Sequence, residues 1–253
     1  MHIKKIGQGP DLVLLHGWSM HSAVWHELAD LLAENFTLHL VDLPGHGQSD
    51  WQQGDLELDV LLIKLAEMVP EKAIYLGWSL GGLISIAFAN QYPDRVSKLI
   101  LMAATPRFVQ ADDWPHAVEQ KVFELFADNL DENQNETLQR FLLLQARGSE
   151  KSRDTIRQLS EQLAAATPPN SQALQQGLSL LIETDLRQQL TELDCPVQMI
   201  VGDRDTLIPS DMILAVQQYK PDIDSVLLSG AGHAPFISQP HDCHQAIERF
   251  IND

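Results

Sequence analysis

The sequence predicts an α/β fold built on a mostly parallel, doubly wound sheet with an all-helical insertion. Short apolar segments of strand length alternate with segments of helical periodicity up to residue 105 and again after residue 186. Residues 106–185 instead carry helical patterns and no strand candidate. With 253 residues, of which 44% are hydrophobic, the chain can bury one sizeable core and carry an insertion. We therefore predict a core from residues 1–105 and 186–253 and a helical cap from residues 106–185.

Strand and helix patterns alternate regularly in the first part of the chain. Each apolar stretch precedes a helical pattern, and turn-forming residues separate the two, as in the repeated units of a parallel sheet. Ser22 is expected to cap the first helix, because a serine hydroxyl accepts hydrogen bonds from the free N–H groups of a first helical turn. The predicted strands are residues 12–16, 36–42, 72–76 and 96–102, and the predicted helices are residues 23–33, 55–69 and 80–90.

The insertion carries two long helical patterns, at residues 119–145 and 152–166, and a break at Pro168 and Pro169. It leaves the core from the carboxyl edge of the sheet, where open α/β sheets bind ligands. We therefore expect it to fold as a cap over that edge, with a helical extension unrelated to the site as the weaker alternative. After the insertion, the predicted elements are strands at residues 196–202 and 225–228 and a closing helix at residues 240–251.

Charge and composition argue against several classes of function. The formal net charge of −18 disfavours nucleic acids and anionic membranes as partners, since both would repel the chain. The N-terminus lacks an apolar signal region and no apolar run reaches membrane-spanning length, so a soluble cytoplasmic protein is expected. Cys195 and Cys243 are too few for a disulfide framework or a zinc site. His241 and His244 lie three apart without an H-E-x-x-H motif, so no metal is expected.

The candidate nucleophile is Ser79, which lies between a predicted strand and a predicted helix. Gly77 and Gly81 flank it, as a sharp, strained turn requires when it leaves no room for a Cβ atom on either side. Such a turn pushes the hydroxyl above the sheet, beside a helix N-terminus whose free N–H groups favour developing negative charge. The motif alone does not decide between a nucleophile and a glycine-serine turn without chemistry.

Two later loops supply groups that would activate this serine. A serine hydroxyl needs a base within hydrogen-bond reach and an acid that orients the base. His233 follows the last predicted strand, and Asp205 follows the strand before it. The chain order Ser, Asp, His is that of α/β-hydrolases. Asp203 is the alternative acid, but it follows its strand so closely that it is better placed to shape the turn.

Backbone N–H groups at two positions could stabilise a tetrahedral oxyanion. Leu80 follows the candidate nucleophile at a helix start, and Trp18 follows a neighbouring strand. Because these donors belong to the backbone, side-chain changes there should act mainly through pocket shape. Aromatic side chains adjoin these motifs, and we expect Trp18, Trp78 and Phe236 to line an acyl channel.

Several motifs together resemble one family. They are LLHGW at residues 14–18, FTLHLVDLPG at 36–45, LGWSLGG at 76–82, RFL at 140–142, DLR at 185–187 and HAPFIS at 233–238. On these motifs the chain resembles, nearly end to end, the pimeloyl-acyl-carrier-protein methyl ester esterases of biotin synthesis, within the α/β-hydrolase superfamily. The resemblance implies an α/β-hydrolase fold with a lid, hydrolysis of a methyl ester on a pimeloyl chain carried by acyl carrier protein, release of methanol, and no cofactor.

The resemblance also implies roles for individual residues. The implied triad is Ser79, Asp205 and His233, the implied oxyanion donors are Trp18 and Leu80, and the implied substrate-binding residues are Phe141, Leu142, Leu143, Leu144, Gln145 and His233. The five consecutive residues lie in the predicted cap, so the resemblance implies that the cap contacts the acyl chain.

An acidic carrier protein could dock on this acidic chain only through a local basic surface. Residues 140–157 hold five basic residues against two acidic ones, a net charge of +3. From charge alone, a solvated helix surface with internal salt bridges is the simpler interpretation, whereas the resemblance favours docking. Glu136, one turn before this segment, weakens the patch. The candidate docking residues are Arg140, Arg147, Arg153 and Arg157.

Three other functions stay open at this point. A broad-specificity short-chain carboxylesterase would use the same triad. A ligand-binding relative with a vestigial triad belongs to a different class, and the intact Ser79, Asp205 and His233 argue against it. A carbon–carbon hydrolase or lyase of the same superfamily is also compatible, since the fold does not fix the reaction. We expect a monomer in each case.

Overall fold

A seven-stranded sheet forms the centre of the computed structural model. The structure describes the backbone of residues 1–253 and every side chain except that of Asp131. The strands are β1 His2–Gly7, β2 Asp11–Leu15, β3 Thr37–Asp42, β4 Ala73–Trp78, β5 Val96–Met102, β6 Val197–Gly202 and β7 Asp224–Leu228. Their order in the sheet is β1-β3-β2-β4-β5-β6-β7, in which β1 pairs antiparallel with β3 and the remaining pairs are parallel.

Helices pack on both faces of this sheet and also form the insertion between β5 and β6. They are α1 His26–Leu32, α2 Leu58–Met68, α3 Leu80–Gln91, α4 Gln120–Glu132, α5 Gln134–Ala146, α6 Ser152–Ala165, α7 Ser171–Glu183, α8 Arg187–Thr191, α9 Met212–Gln217, α10 Pro235–Ser238 and α11 Pro240–Asn252. Side chains of a strand alternate between faces, so Leu12 and Leu14 share a hydrophobic cluster with α1 and α11, whereas Val13 and Leu15 share one with α2 and α3. None of the described helices combines the length and apolar character needed to cross a membrane.

The predicted doubly wound sheet is confirmed, with the ends of its predicted strands within two residues of the observed ends. The strand that the sequence did not predict is β1, at the antiparallel edge. Its Lys4 and Lys5 are exposed and none of its residues is fully buried, so it lacks the buried, alternating face that predicts a strand.

Three helical predictions differ from the structure. The helix predicted to start at residue 55 begins at Leu58. The prediction that Ser22 caps the first helix is wrong. The capping residue is His21, which precedes a short 3-10 helix at Ser22–Trp25 and whose Nδ1 accepts from the Ala23 N–H at 3.4 Å. The Ser22 N–H instead donates to a carboxylate oxygen of Asp42 at 2.7 Å. The helical pattern over residues 119–145 is two helices, broken at Asn133, whose side chain accepts from a backbone N–H and caps α5.

Helices α4–α7 form the insertion between β5 and β6, and its two ends meet in a polar neck. Arg107 at the start is bridged to Asp185 at the end, and the Leu186 N–H donates to the Pro106 carbonyl at 2.9 Å. Arg187 also contacts Asp185, with Nη2 and Oδ2 2.8 Å apart. Desolvation raises the pKa of Asp185, but hydrogen bonds from Arg187 and Arg107 outweigh it and lower that pKa to about 2. The DLR motif at residues 185–187 thus joins the insertion to the sheet. The division of the chain into a core domain and a cap domain stays a prediction.

Candidate active site

The turn at Ser79 joins β4 to α3 in a conformation that L residues rarely adopt, with φ +53°. The Ser79 N–H donates to the Met102 carbonyl at 3.1 Å, which fixes the turn against β5. A Cβ atom added at Gly81 would lie 2.1 Å from the Leu15 carbonyl oxygen, and one added at Gly77 would lie 2.4 Å from the Gly81 carbonyl oxygen. Glycine is therefore required on both sides of the serine because backbone from β2 and α3 fills the space.

Ser79, His233 and Asp205 lie in one hydrogen-bonded line. The Nε2 atom of His233 is 3.0 Å from Ser79 Oγ, and its Nδ1 atom is 2.8 Å from Asp205 Oδ2. A carboxylate accepts and does not donate, so the Nδ1 atom carries the proton and Nε2 is free to accept from the serine. The three residues are buried, with Ser79 5% and His233 1% exposed. This line contains the elements of an activated nucleophile.

The structure brings Asp205, not Asp203, to the imidazole. The second oxygen of Asp205, Oδ1, accepts from the N–H groups of Leu207 at 2.8 Å and Ile208 at 3.0 Å, which fixes the carboxylate. Asp203 accepts instead from the Gly230 N–H at 2.7 Å and ties together the turns after β6 and β7. Although the two acids are only two residues apart, the Asp205 carboxylate bonds to the histidine and the Asp203 carboxylate bonds to the turn.

The backbone of His233 is held from two sides. Its N–H donates to the Gln145 carbonyl of α5 at 3.1 Å, and its carbonyl accepts from the Trp78 indole Nε1–H at 2.8 Å. The Trp78 ring packs against Phe236 at 4.9 Å between ring centroids and against Trp25 at 6.4 Å. Sequence reasoning assigned Trp78 to an acyl channel and missed this hydrogen bond, for which no local pattern gives a signal.

The two candidate oxyanion donors lie on adjoining segments. Leu80 is the first residue of α3, and Trp18 lies in the loop after β2. A Cβ atom added at Gly81 would lie 2.7 Å from the His16 carbonyl oxygen, so the loop after β2 packs closely against the start of α3. In the described part of the chain, neither the Trp18 N–H nor the Leu80 N–H donates to another backbone group. Both are thus free to donate to a ligand.

The side chains of the predicted acyl-binding segment of α5, residues 141–145, point in different directions. Phe141, Leu142 and Gln145 are buried, and the Phe141 ring meets the Trp18 ring edge-on with centroids 4.7 Å apart. Leu143 is 54% exposed and lines a surface groove between α4 and α5, so its role in substrate binding stays a prediction. Consecutive helical residues point about 100° apart, so five in a row cannot share one face. The buried Gln145 amide finds no hydrogen-bond partner for either polar atom among the described residues.

The four candidate docking arginines lie on the surface of the insertion but differ in their partners. Arg140 and Arg157 each pair with a glutamate one turn away on the same helix, at 2.6 and 3.2 Å. Arg147 and Arg153 are exposed and form no ion pair with any described residue. Lys151, the fifth basic residue of this segment, donates to the Ser238 carbonyl at 2.7 Å and so joins the insertion to the core.

The cysteines and histidines outside the triad offer no metal centre. No group of three or more His, Cys, Asp or Glu side chains among the described residues is placed to hold a metal ion. Cys195 and Cys243 are free thiols, and burial raises the pKa of both. Raised thiol pKa values make thiolate nucleophiles scarce, in keeping with packing roles.

Comparison with known proteins identifies the family. The sequence profile of the α/β hydrolase fold matches residues 10–240. Pimeloyl-[acyl-carrier protein] methyl ester esterases from Xanthomonas oryzae pv. oryzae and Aeromonas salmonicida are 44% and 43% identical to the chain, covering 99% and 98% of it and 98% of their own lengths. The chain belongs to this esterase family. The predicted family and the predicted α/β-hydrolase fold are confirmed.

A solved structure supports the same fold at greater distance. An esterase from Exiguobacterium antarcticum superposes with a TM-score of 0.89 over 100% of this chain and 95% of its own. Its sequence identity is 20%, so this likeness concerns the fold alone. Membership of the esterase family rests on the full-length relatives.

Proposed function

We propose that the chain is a serine carboxylesterase that acts as a monomer on the methyl ester of pimeloyl-[acyl-carrier protein] and releases methanol, as a step of biotin synthesis. The observation that carries this proposal is the buried line from Ser79 through His233 to Asp205 in a member of that esterase family. Ester hydrolysis by a serine nucleophile needs these three groups within hydrogen-bond reach of one another.

The reaction would proceed through an acyl-enzyme. Ser79 Oγ attacks the ester carbonyl while His233 Nε2 takes its proton, and Asp205 stabilises the resulting imidazolium. The tetrahedral oxyanion accepts hydrogen bonds from the backbone N–H groups of Trp18 and Leu80. His233 then protonates the departing methoxide, which leaves as methanol. Water repeats the sequence on the acyl-enzyme and frees the carboxylate.

Substrate entry would require the insertion to move. Ser79 and His233 are almost fully buried, and Phe141 of α5 packs on Trp18 above the loop that holds one oxyanion donor. A chain carried on another protein could reach the serine only after such contacts open. The unpartnered amide of Gln145, whose backbone contacts His233, would then bind a polar group of the substrate.

Hydrolysis of purified pimeloyl-[acyl-carrier protein] methyl ester, followed by methanol release, tests the proposed reaction. Ser79→Ala should lower kcat by about 10,000-fold or more without changing the melting temperature markedly. Ser85→Ala is the matched control, because Ser85 is a second buried serine of the same region whose Oγ donates to the Gly81 carbonyl. A biotin-requiring strain that lacks its own esterase provides the test of pathway. Growth without biotin when the strain carries the parent protein, but not when it carries Ser79→Ala, assigns the chain to biotin synthesis. Unchanged turnover of Ser79→Ala excludes the proposed nucleophile.

The carrier protein would dock on the arginines of the insertion. Charge reversal to Glu should raise KM for the carrier-linked ester by about tenfold or more, equivalent to about 1.4 kcal/mol, and leave p-nitrophenyl butyrate unaffected. Arg147 and Arg153 should matter more than Arg140 and Arg157, whose charges are already paired within their helices. Equal effects on both substrates would exclude docking and favour the broad-specificity esterase.

A further inference from the structure

We propose that His16 is a positioning residue of the oxyanion hole, whose imidazole fixes the orientation of the Gly17–Trp18 peptide and so directs the Trp18 N–H at the oxyanion. This inference rests on the proposed function, in which Trp18 supplies one of the two donors. The observation that carries it is the pair of hydrogen bonds that the buried His16 ring makes with two loops at the carboxyl edge of the sheet.

Both ring nitrogens of His16 are satisfied in a single tautomer. The Nδ1 atom lies 2.8 Å from the Gly17 carbonyl oxygen, and the Leu43 N–H donates to Nε2 at 3.0 Å. A carbonyl accepts and a backbone N–H donates, so Nδ1 must carry the proton and Nε2 must not. Burial, reinforced by the neighbouring His46, lowers the pKa of His16 to about 3, so the ring stays neutral at ordinary pH.

The bond to Gly17 controls the Trp18 N–H because both groups belong to one peptide. A trans peptide is planar, and its C=O and N–H point in opposite directions. Holding the Gly17 oxygen on the imidazole therefore fixes the direction of the Trp18 N–H. An oxyanion donor must lie about 2.7–3.1 Å from the developing charge, so rotation of this peptide would remove its contribution.

The loop needs such a tether because its backbone is not relaxed. Ser19, directly after the peptide, adopts φ +68°, a conformation that costs a non-glycine residue energy. The other bond to the Gly17 oxygen, from the Met20 N–H, is longer at 3.3 Å. Leu43 in turn holds the imidazole from the loop after β3. The ring thus connects the oxyanion loop to the loop after β3.

Two amide substitutions separate the bonds of His16. His16→Asn can place an N–H donor near the Nδ1 position and keep the bond to Gly17, whereas His16→Gln reaches the Nε2 position and keeps the bond to Leu43. With p-nitrophenyl butyrate, we expect His16→Asn to retain kcat within about tenfold of the parent and His16→Gln to lose about 100-fold or more, with KM little changed. His46→Asn is the control, since His46 is a buried imidazole 5.4 Å from His16 whose Nδ1 bonds to the Pro44 carbonyl and not to Gly17.

Phenylboronic acid supplies a readout that a purely structural role would not change. It forms a tetrahedral adduct with the nucleophilic serine, so its affinity should fall in His16→Gln by a factor similar to that of kcat and stay near the parent value in His16→Asn. Equal kcat in the two variants, or a loss of kcat with unchanged boronate affinity, overturns the inference. If the Gln variant does not fold, His16→Ala replaces it in the same comparison. A parent that hydrolyses neither ester contradicts the proposed function itself.

Discussion

Ser79 and His233 are hydrogen-bonded to each other, yet different parts of the molecule hold them. Ser79 is fixed by the core: its N–H donates to Met102 of β5, and its carbonyl accepts from Gly82 of α3. His233 is fixed by the insertion as well, since its N–H donates to Gln145 of α5. Neither of these backbone bonds of Ser79 involves the insertion, whereas the base loses one restraint if α5 moves away.

Further contacts join the insertion to the loops that carry His233 and Asp205. The Glu150 N–H donates to the Gly230 carbonyl at 3.0 Å, and the Glu150 carboxylate pairs with Arg204 at 3.0 Å. A Cβ atom at Gly232 would lie 3.2 Å from the Gln145 carbonyl oxygen. Substitutions that disturb the close backbone packing of the serine turn should therefore damage the fold, and changes in the histidine loop should alter activity more than stability.

The largest effect is expected from a methyl group on the serine side. Gly81→Ala places a Cβ atom 2.1 Å from the Leu15 carbonyl oxygen, so α3 must leave its place on β2. We expect a loss of about 3 kcal/mol or more in the free energy of unfolding and no measurable esterase activity. Urea denaturation measures the free energy of unfolding, and hydrolysis of p-nitrophenyl butyrate measures the esterase activity.

Gly232→Ala is the matched substitution on the histidine side. Its Cβ atom meets insertion atoms at 3.2 Å or more, which a small shift of α5 relieves. Stability should fall by less than about 1 kcal/mol while kcat changes several-fold. If both alanine variants lose the same stability, the contrast between the rigid serine turn and the adjustable histidine loop is wrong.

The next effect concerns the acid of the histidine side. Asp205→Asn keeps the side-chain volume but allows the wrong imidazole tautomer, so kcat should fall by about 10,000-fold. Asp203→Asn should stay close to the parent in kcat, because Asp203 binds the Gly230 N–H and not the ring. The measurement is kcat for both variants with one ester. A larger loss in Asp203→Asn would reverse the assignment of the orienting acid.

A smaller effect is expected from the indole that holds the histidine carbonyl. Trp78→Phe removes the Nε1–H bond to His233 and leaves its carbonyl buried without that donor, at a cost of about 1–3 kcal/mol. Without this bond the His233 imidazole should shift relative to Ser79, and kcat should fall by roughly tenfold. Trp25→Phe is the control, because Trp25 is equally buried and its Nε1 has no partner among the described residues. Parallel kcat values for the two variants would show that packing alone, without the hydrogen bond, matters here.

The smallest effect lies at the neck of the insertion, away from the histidine. The pKa of Asp185 is about 2 in the folded chain, against an ordinary value of about 3.9, so its ion pairs stabilise the protein above pH 4 and that contribution is lost as the pH falls toward 2. Its side chain is 32% exposed, and after allowance for solvent screening Asp185→Asn should cost about 1 kcal/mol at pH 7.

Urea denaturation at several pH values tests this prediction. The difference in unfolding free energy between parent and Asp185→Asn should shrink as the pH falls below about 4, with kcat unchanged at pH 7. Asp222→Asn serves as the control, because its ion pair with Lys220 is formed by a carboxylate that is 71% exposed. A pH-independent difference would point to lost packing instead of a lost charge.

Much of this molecule follows from local sequence pattern. Apolar runs of strand length predicted six of the seven strands. Strands β3, β4 and β6 are buried along their whole length, and a strand that is buried on both faces tends to be apolar nearly throughout. Gly77 and Gly81 around Ser79 predicted the sharp turn, since no other residue fits where backbone approaches to within 2.4 Å of a Cβ position. Resemblance of short motifs then identified the family. These features are encoded in neighbouring residues, so a single sequence is enough to find them.

Contacts between distant residues were decided only by the tertiary structure. Asp203 and Asp205 have the same chemistry, and only the packing of the loops after β6 and β7 determines which one meets His233. The bond from Trp78 to the His233 carbonyl joins residues 155 positions apart, and Leu43 reaches His16 across 27 positions. Periodicity records whether a side chain is buried, but a hydrogen-bond partner depends on the direction and distance at which two separately folded segments come together.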